Sequence, residues 1–375
     1  MLELPHLRGI EDKRRAQGRR YDLEHVLLCC VLAVAAGADS YRAMARFIKA
    51  KFQWLREHSA LRWRKAPSHT GLRAVLLSVD QPAVEQALRS YAAGVLEAGR
   101  EGGAASCTIA IDGKTLRGSV DRFADVPALQ WVSAFAAQQR LVVGQIALSG
   151  EDKGSEIAAA RKLIEELGLS GKLFTLDALH CQKQTLQAAV QSGNDVLVQV
   201  KGNQPTLLQG ITALAEAVPA SQSWHHDEIG KRNRIESRQT QVWPIAAGQA
   251  GADWQLVRSV IRVRRHTEVF DTRDGAWRPR SEIAWYVCTR DLTARAAHDA
   301  VRGHWMIENA LHHVRDVAFA EDASRIRREP GVFAQLRTWA LNLMRCAGFD
   351  NIKAARQLLA WSDDALLNLV SADQH

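Results

Sequence analysis

Apolar residues recur at helical spacing through the first hundred positions. The run from Val26 to Ala36 is apolar throughout and reads as a buried helix. Leu23 to Leu55 is almost free of glycine and proline, and Gly37 marks the end of its first helix. In the stretch Ser40 to Lys49, Met44, Phe47 and Ile48 share one face and basic residues take the other. Pro67-Ser68-His69-Thr70 reads as a turn with a cap, opening a helix that carries Leu72, Val75 and Leu76. A short helix, a turn and a second helix with Arg and Lys nearby is compatible with a helix-turn-helix, and equally with a plain helical bundle. Gly99, Gly102 and Gly103 then mark a linker.

Beyond residue 105 the period shortens. Cys107 to Ile111 is a short apolar run ending at Asp112, and Trp131–Ala137 and Leu141–Leu148 predict two strands joined by a hairpin-length connection. Glu156 to Leu167 is an amphipathic helix closed by Gly168. Lys172–Leu176 is a strand ending at Asp177, a helix runs from about Gln182 to Gln191, and Asp195–Val200 is a further strand. Strands alternating with helices in this way imply a mixed α/β sheet with parallel crossovers. Residues 224–290 turn β-rich, with strands over Gln239–Trp243, Trp254–Arg264 and Ser281–Thr289. Ala294 to Ala318 is a long helical stretch, and the chain ends in helices over about 330–375, with Trp339, Leu343 and Leu358 in their core. The expected organisation is an all-helical N-terminal domain (1–100) followed by an α/β domain (105–375) with a β-rich insertion at 224–290.

Composition narrows the classes. Of 375 residues 47 % are hydrophobic and 24 % charged, which excludes a disordered, collagen-like or coiled-coil chain. The net charge of +8 and pI near 9.3 favour a polyanionic partner, though a basic soluble enzyme fits as well. Six cysteines lack any C-x-x-C pair, which argues against zinc modules and disulfide frameworks and fits a reducing cytoplasm. Val26–Ala36 is too short to span a bilayer and lacks the context of a signal peptide.

The candidate chemistry lies in carboxylates. Asp112 and Asp177 terminate apolar strands, where open α/β sheets place their ligands, although a strand-end Asp is also a common turn or cap residue. Glu308 sits inside a helix whose packing stripe is Ile307, Leu311, Val314 and Ala318. The neighbouring stripe holds Val301, His304, Glu308, His312 and Arg315, and the bland alternative is a surface glutamate paired with Arg315. Three carboxylates brought to about 4 Å repel by several kcal/mol at an effective dielectric near 20. Mg²⁺ or Mn²⁺ would relieve that repulsion, and two such ions serve phosphoryl transfer. No phosphate-binding glycine loop, dinucleotide fingerprint or H-E-x-x-H order is present, so nucleotide and zinc enzymes are poorly supported.

Four ordered motifs then carry a resemblance. Ile109-Ala-Ile-Asp-Gly-Lys-Thr-Leu-Arg-Gly-Ser119, Thr175-Leu-Asp-Ala-Leu-His-Cys-Gln182, Val200-Lys-Gly-Asn-Gln204 and Arg302-Gly-His-Trp-Met-Ile-Glu-Asn-Ala-Leu-His312 resemble the H-repeat-associated (ISAs-type) transposases of bacterial insertion sequences. Glu321-Asp-Ala-Ser-Arg-Ile-Arg327 and Ala66-Pro-Ser-His69 extend the likeness over nearly the whole chain. The resemblance implies a DDE transposase with an RNase H-like catalytic domain, Asp112, Asp177 and Glu308 being the catalytic and metal-binding acids and two Mg²⁺ or Mn²⁺ ions the cofactors. It implies cleavage at transposon ends and strand transfer into target DNA by a cytoplasmic, nucleoid-associated homodimer, with the N-terminal helices serving DNA binding or assembly. A catalytically silent, transposase-derived DNA-binding regulator is the alternative. In related hairpin-forming transposases Tyr, Arg and Lys accompany the Glu; the matching positions here are Val301, His304 and Arg315. Candidate DNA contacts are Lys114, Arg117, Lys201, Asn203 and Gln204 after the catalytic strands, Arg232, Arg234 and Arg238, then His304, His312 and Arg315, and finally Arg325, Arg327 and Arg328.

Overall fold

The computed structural model describes residues 2–99, 107–120, 123, 125–148, 156–230 and 234–371. Five helices come first: α1 (Leu23–Ala35), α2 (Tyr41–Ala50), α3 (Phe52–His58), α4 (His69–Leu76) and α5 (Gln81–Ala98). Asp22, Ser40, Ser68 and Asp80 cap α1, α2, α4 and α5, each accepting the backbone N–H three residues on. From Val26 to Ala35 every residue of α1 is at most 1 % exposed. An all-round apolar helix needs neighbours on every side, and α1 has them in α2, α4 and two C-terminal helices, α11 (Pro330–Cys346) and α12 (Ile352–Trp361). The N- and C-terminal helices therefore share one hydrophobic core, which also takes in α13 (Asp363–Ser371) and reaches Ala110, Phe135 and Val142 of the sheet.

Among the described residues nine strands form a single sheet: β1 (Thr108–Thr115), β2 (Gln130–Ala136), β3 (Leu141–Leu148), β4 (Leu173–Leu176), β5 (Asp195–Val200), β6 (Gln222–Gly230), β7 (Arg234–Pro244), β8 (Ser259–Asp271) and β9 (Ala276–Cys288). Their order is β3-β2-β1-β4-β5-β9-β8-β7-β6. The first three form an antiparallel meander, β1, β4 and β5 run parallel, and β9 turns antiparallel against β5. One face carries α6 (Glu156–Glu166), α7 (Lys183–Gln191), α8 (Pro205–Ala217) and the end of α5. The other carries α9 (Ala294–His304) and the shared helical core.

Several elements differ from the sequence expectation. Asp112 does not end its strand: β1 runs three residues further, because β2 pairs with it as far as Thr115. The β-rich region contains four strands, not three, and it extends the main sheet through β9 rather than standing apart. Trp254 lies in the connection before β8. Helix α8 had no expectation at all. The helical stretch near 294–318 is real but interrupted: α9 gives way to a π-helical turn, Ile307–His312, before α10 (His313–Phe319). Among the described residues no helix is long and apolar enough to cross a membrane.

Candidate active site

Parallel pairing sets the first two acids level. The β1–β4 ladder ends at Ala110 opposite Thr175, and Asp112 and Asp177 each stand two residues beyond that rung. Asp177 has left the ladder and caps a short 3-10 turn, accepting the Leu179 N–H at 3.0 Å. The π turn supplies Glu308 from across the sheet face. All three acids line one cavity of about 490 Å³, together with Lys201, His304 and Trp305, and its far wall is Arg265, Glu282 and Tyr286 of β8 and β9. The extra strands thus wall the acid site.

Within the cavity the closest grouping is Asp112, Glu308 and His312, whose ligand-type atoms all lie within 4.8 Å of one another. His312 is 5 % exposed, with Nε2 3.2 Å from Asp112 Oδ2. That separation is an ion-pair approach without hydrogen-bond geometry, which leaves both ring nitrogens without a hydrogen bond among the described residues. Burial is the largest influence on Asp112 and raises its pKa, but His312 and the charge of His304 bring it below the ordinary aspartate value. Burial likewise dominates at Glu308. His312 pulls its pKa down, Asp112 pushes it up, and the result stays above the usual glutamate value. Two carboxylates pressed together beside an unsatisfied buried imidazole are a donor set that a divalent cation would complete, and their hard oxygens suit Mg²⁺ or Mn²⁺. Burial also holds His304 below its ordinary pKa against the pull of Asp112 and Asp177, and its Nδ1 lies 3.1 Å from Thr175 Oγ1.

Asp177 is outside that tight group. Beside it stands His180, 1 % exposed, whose Nε2 lies 3.9 Å from Asp177 Oδ1 and 3.6 Å from Glu156 Oε1, with no hydrogen bond to either ring nitrogen among the described residues. The Glu156 carboxylate in turn rests against the backbone of Gly113, where a Cβ would meet it at about 2.5 Å. Sequence reasoning assigned no role to His180 or Glu156. The signal for His180 was its place in the Thr175–Gln182 motif.

The expected DNA contacts divide. Arg117, Arg325, Arg327 and Arg328 are exposed, and the backbone of Asp322 and Ser324 abuts Gly118, which brings the two sets onto one surface. Lys201 is exposed on the cavity wall. Asn203 and Gln204 instead brace the loop after Asp177, donating to the carbonyls of Ala178 (2.6 Å) and Cys181 (2.7 Å). Lys114 is engaged by Asp316 at 2.5 Å and by the His312 carbonyl. Arg234 and Arg238 both grip Glu236. Arg232 lies outside the described residues. Two expectations are corrected: Arg315 is 2 % exposed and paired with Glu321 at 2.7 Å, so it meets neither DNA nor Glu308, and buried His312 faces the acids rather than a phosphate backbone. All six cysteines are free thiols.

With that geometry in place, comparison with known proteins is decisive. Residues 103–345 match the "Transposase DDE domain" family model, and residues 4–92 match the "DDE_Tnp_1-associated" model. The chain belongs to the DDE transposase family. Relatives of this DDE transposase include "Putative transposase YncI" of Escherichia coli O157:H7, 29 % identical over 91 % of this chain and 87 % of the relative. "H repeat-associated putative transposase YhhI" of Escherichia coli strain K12 is 26 % identical over 91 % of this chain and 89 % of that one. Among solved structures, a piggyBac transposase synaptic complex with hairpin DNA aligns with 93 % of this chain and 73 % of its own, at 9 % identity and a TM-score of 0.42, a likeness too slight for comparing DDE transposase residues one by one.

Proposed function

We propose that this chain is an active transposase that cuts DNA at transposon ends and joins the freed 3′-hydroxyl to target DNA, using Asp112, Asp177 and Glu308 on an RNase H-like core. The observation that carries the reading is the convergence of these acids, from a strand, a strand end and a helix, on one cavity. The antiparallel β1-β2-β3 meander followed by parallel β4 and β5 agrees with an RNase H-like core. Intact acids at all three positions favour an enzyme over a silent DNA-binding regulator. Two ends must be cut, so a homodimer is the assembly this reading implies.

Asp112 and Glu308 would hold divalent metal, with Asp177 turning in from its position beside His180. When bound, such ions supply Lewis-acid activation of the attacking oxygen and stabilisation of the leaving one. Lys201, exposed on the cavity wall, would meet the charge of the phosphate flanking the cut. His180, buried with open ring nitrogens next to Asp177, would orient that carboxylate, and Glu156 would orient His180 in turn. A π turn in an otherwise α-helical run is itself a feature enriched at functional sites.

The test is metal-dependent nicking of a plasmid carrying the element's ends. Asp112→Asn, Asp177→Asn and Glu308→Gln are each expected to reduce nicking to background while duplex binding persists. His180→Ala should weaken Mn²⁺ binding, read by calorimetry, by about 10–100-fold with an unchanged circular dichroism spectrum. Nicking by Asp112→Asn at the wild-type rate would sink the assignment.

A further inference from the structure

Glu308 and His312 stand four residues apart on the π turn, so both side chains leave the same face, towards β1. Strand β1 meets them with Asp112 and, two residues on along the same strand face, with Lys114. Lys114 Nζ donates to the His312 carbonyl at 3.2 Å and pairs with Asp316 of α10. These contacts fasten the end of the π turn to the strand that bears Asp112. The backbone carrying the imidazole is therefore fixed relative to that acid before any ligand arrives.

The way the ring meets Asp112 is informative. Its Nε2 lies 3.2 Å from Asp112 Oδ2, near enough for a hydrogen bond, yet the alignment of one is missing. The side chain is only 6 % exposed, and neither ring nitrogen has a hydrogen bond among the described residues. Groups that share a proton point it along the line between them. A nitrogen lone pair held this close to a carboxylate without such a proton is repelled unless a cation lies where both point. Two ligands of one ion stand in that relation. At metal–donor bonds of about 2.1 Å, neighbouring corners of an octahedron are about 3 Å apart and opposite corners about 4 Å. Asp112 Oδ2 and His312 Nε2 sit near the first spacing, and with Glu308 the donors lie within 4.8 Å, slightly more open than a filled shell.

The other imidazole of the cavity is differently placed. His304 Nδ1 lies 3.1 Å from Thr175 Oγ1, and the ring is not part of the close group. A nitrogen donor also changes which ion is preferred. Carboxylate oxygens alone suit Mg²⁺, Ca²⁺ and Mn²⁺, whereas imidazole favours first-row transition ions. Mn²⁺ accepts both kinds of donor.

We propose that His312 is a direct nitrogen ligand, beside Asp112 and Glu308, of one divalent ion, and that it biases the site towards Mn²⁺ over Mg²⁺. That this ion serves DNA cleavage rests on the function proposed above; the ligand set rests on the three donors.

Electron spin-echo envelope modulation of Mn²⁺ added to the full chain, with protein in excess and no DNA, reads the ligand directly. Wild type should show modulation from a coordinated nitrogen, and His312→Gln should lose it while keeping its thermal transition. By calorimetry His312→Gln should bind Mn²⁺ about tenfold or more weakly, with Mg²⁺ affinity moved less. His312→Glu, which returns a charged oxygen, should recover Mg²⁺ binding without nitrogen modulation. Mn²⁺ that stays free in wild type, or is bound without nitrogen coupling, overturns the proposal whether or not the variants fold. So does a coupling that survives in His312→Gln, and an equal loss of Mn²⁺ and Mg²⁺ overturns the preference. A protein that holds Mn²⁺ through nitrogen yet never nicks DNA upholds the ligand set and removes only the enzymatic reading. Metal-dependent nicking with an oxygen-only Mn²⁺ signal does the reverse.

Discussion

Glu321 is 2 % exposed and faces two guanidiniums, Arg315 at 2.7 Å and Arg337 at 3.4 Å. Burial alone would raise its pKa, but the two arginines hold it below the ordinary glutamate value. Removing one partner from a buried ionic group leaves the others uncompensated, at a cost of about 3–5 kcal/mol. Glu321→Ala should therefore lower the urea midpoint by an amount corresponding to about that loss, and an unchanged midpoint would contradict the triad's structural role. The triad also shows why Arg315 was misread. A sequence displays a charge but not its partner, and the helical spacing that put Arg315 beside Glu308 ignored the chain's return at Glu321. Asp112, Asp177 and Glu308 were legible because each sits in a long ordered motif. The approach of His312 to Asp112 was not, since it joins residues 200 positions apart through a sheet–helix contact.

Helix α9 packs across the sheet, and His298 on it is 3 % exposed against His226 of β6, ring centroids 5.2 Å apart, with Nδ1 3.3 Å from Thr240 Oγ1 of β7. Burial first, then the charge of His226, lowers its pKa to about 4. The unfolded chain, with an ordinary histidine pKa near 6.5, binds more protons between those values, so stability rises with pH across that window. On acidification from pH 6.5 to 4 the stability measured by urea unfolding should fall, and His298→Asn should flatten that dependence; a variant with the parent's slope would remove His298 as its source. At this scale the alternating β and α segments up to β5 were readable from period alone. The π turn was not: Ile307 and Leu311 stay buried as the α-helical stripe requires, whereas Val314 and Ala318 beyond it are only half-buried. Wider winding through 307–312 rotates α10 away from the stripe. Helix α8 escaped notice because it opens at Pro205 without a capping side chain and Gly210 interrupts its apolar positions, Leu207 before it and Ile211 after it.

Family models match residues 4–92 and 103–345 separately, yet packing joins the two regions into one body. Helix α1 lies along α11, Tyr91 of α5 packs its ring 5.2 Å from Trp339, and Arg356 of α12 donates to the Val34 carbonyl at 3.0 Å. Val332, Phe333, Leu336, Trp339, Ala340 and Leu343 of α11 are at most 2 % exposed. Uncovering the larger of these, at about 1.5–3 kcal/mol per side chain, costs on the order of 10 kcal/mol, as much as the whole stability of a typical domain. A chain comprising residues 105–375 alone should therefore lack a cooperative unfolding transition, lose its near-ultraviolet circular dichroism and bind a hydrophobic dye. A truncated chain that melted cooperatively with the parent's near-ultraviolet spectrum would show that the sheet carries its own sufficient core. The same continuity bears on the acid site, because α11 touches α2 on one side and the sheet that holds Asp112 on the other, so the strand that bears the first acid is packed against the N-terminal helices through one shared core.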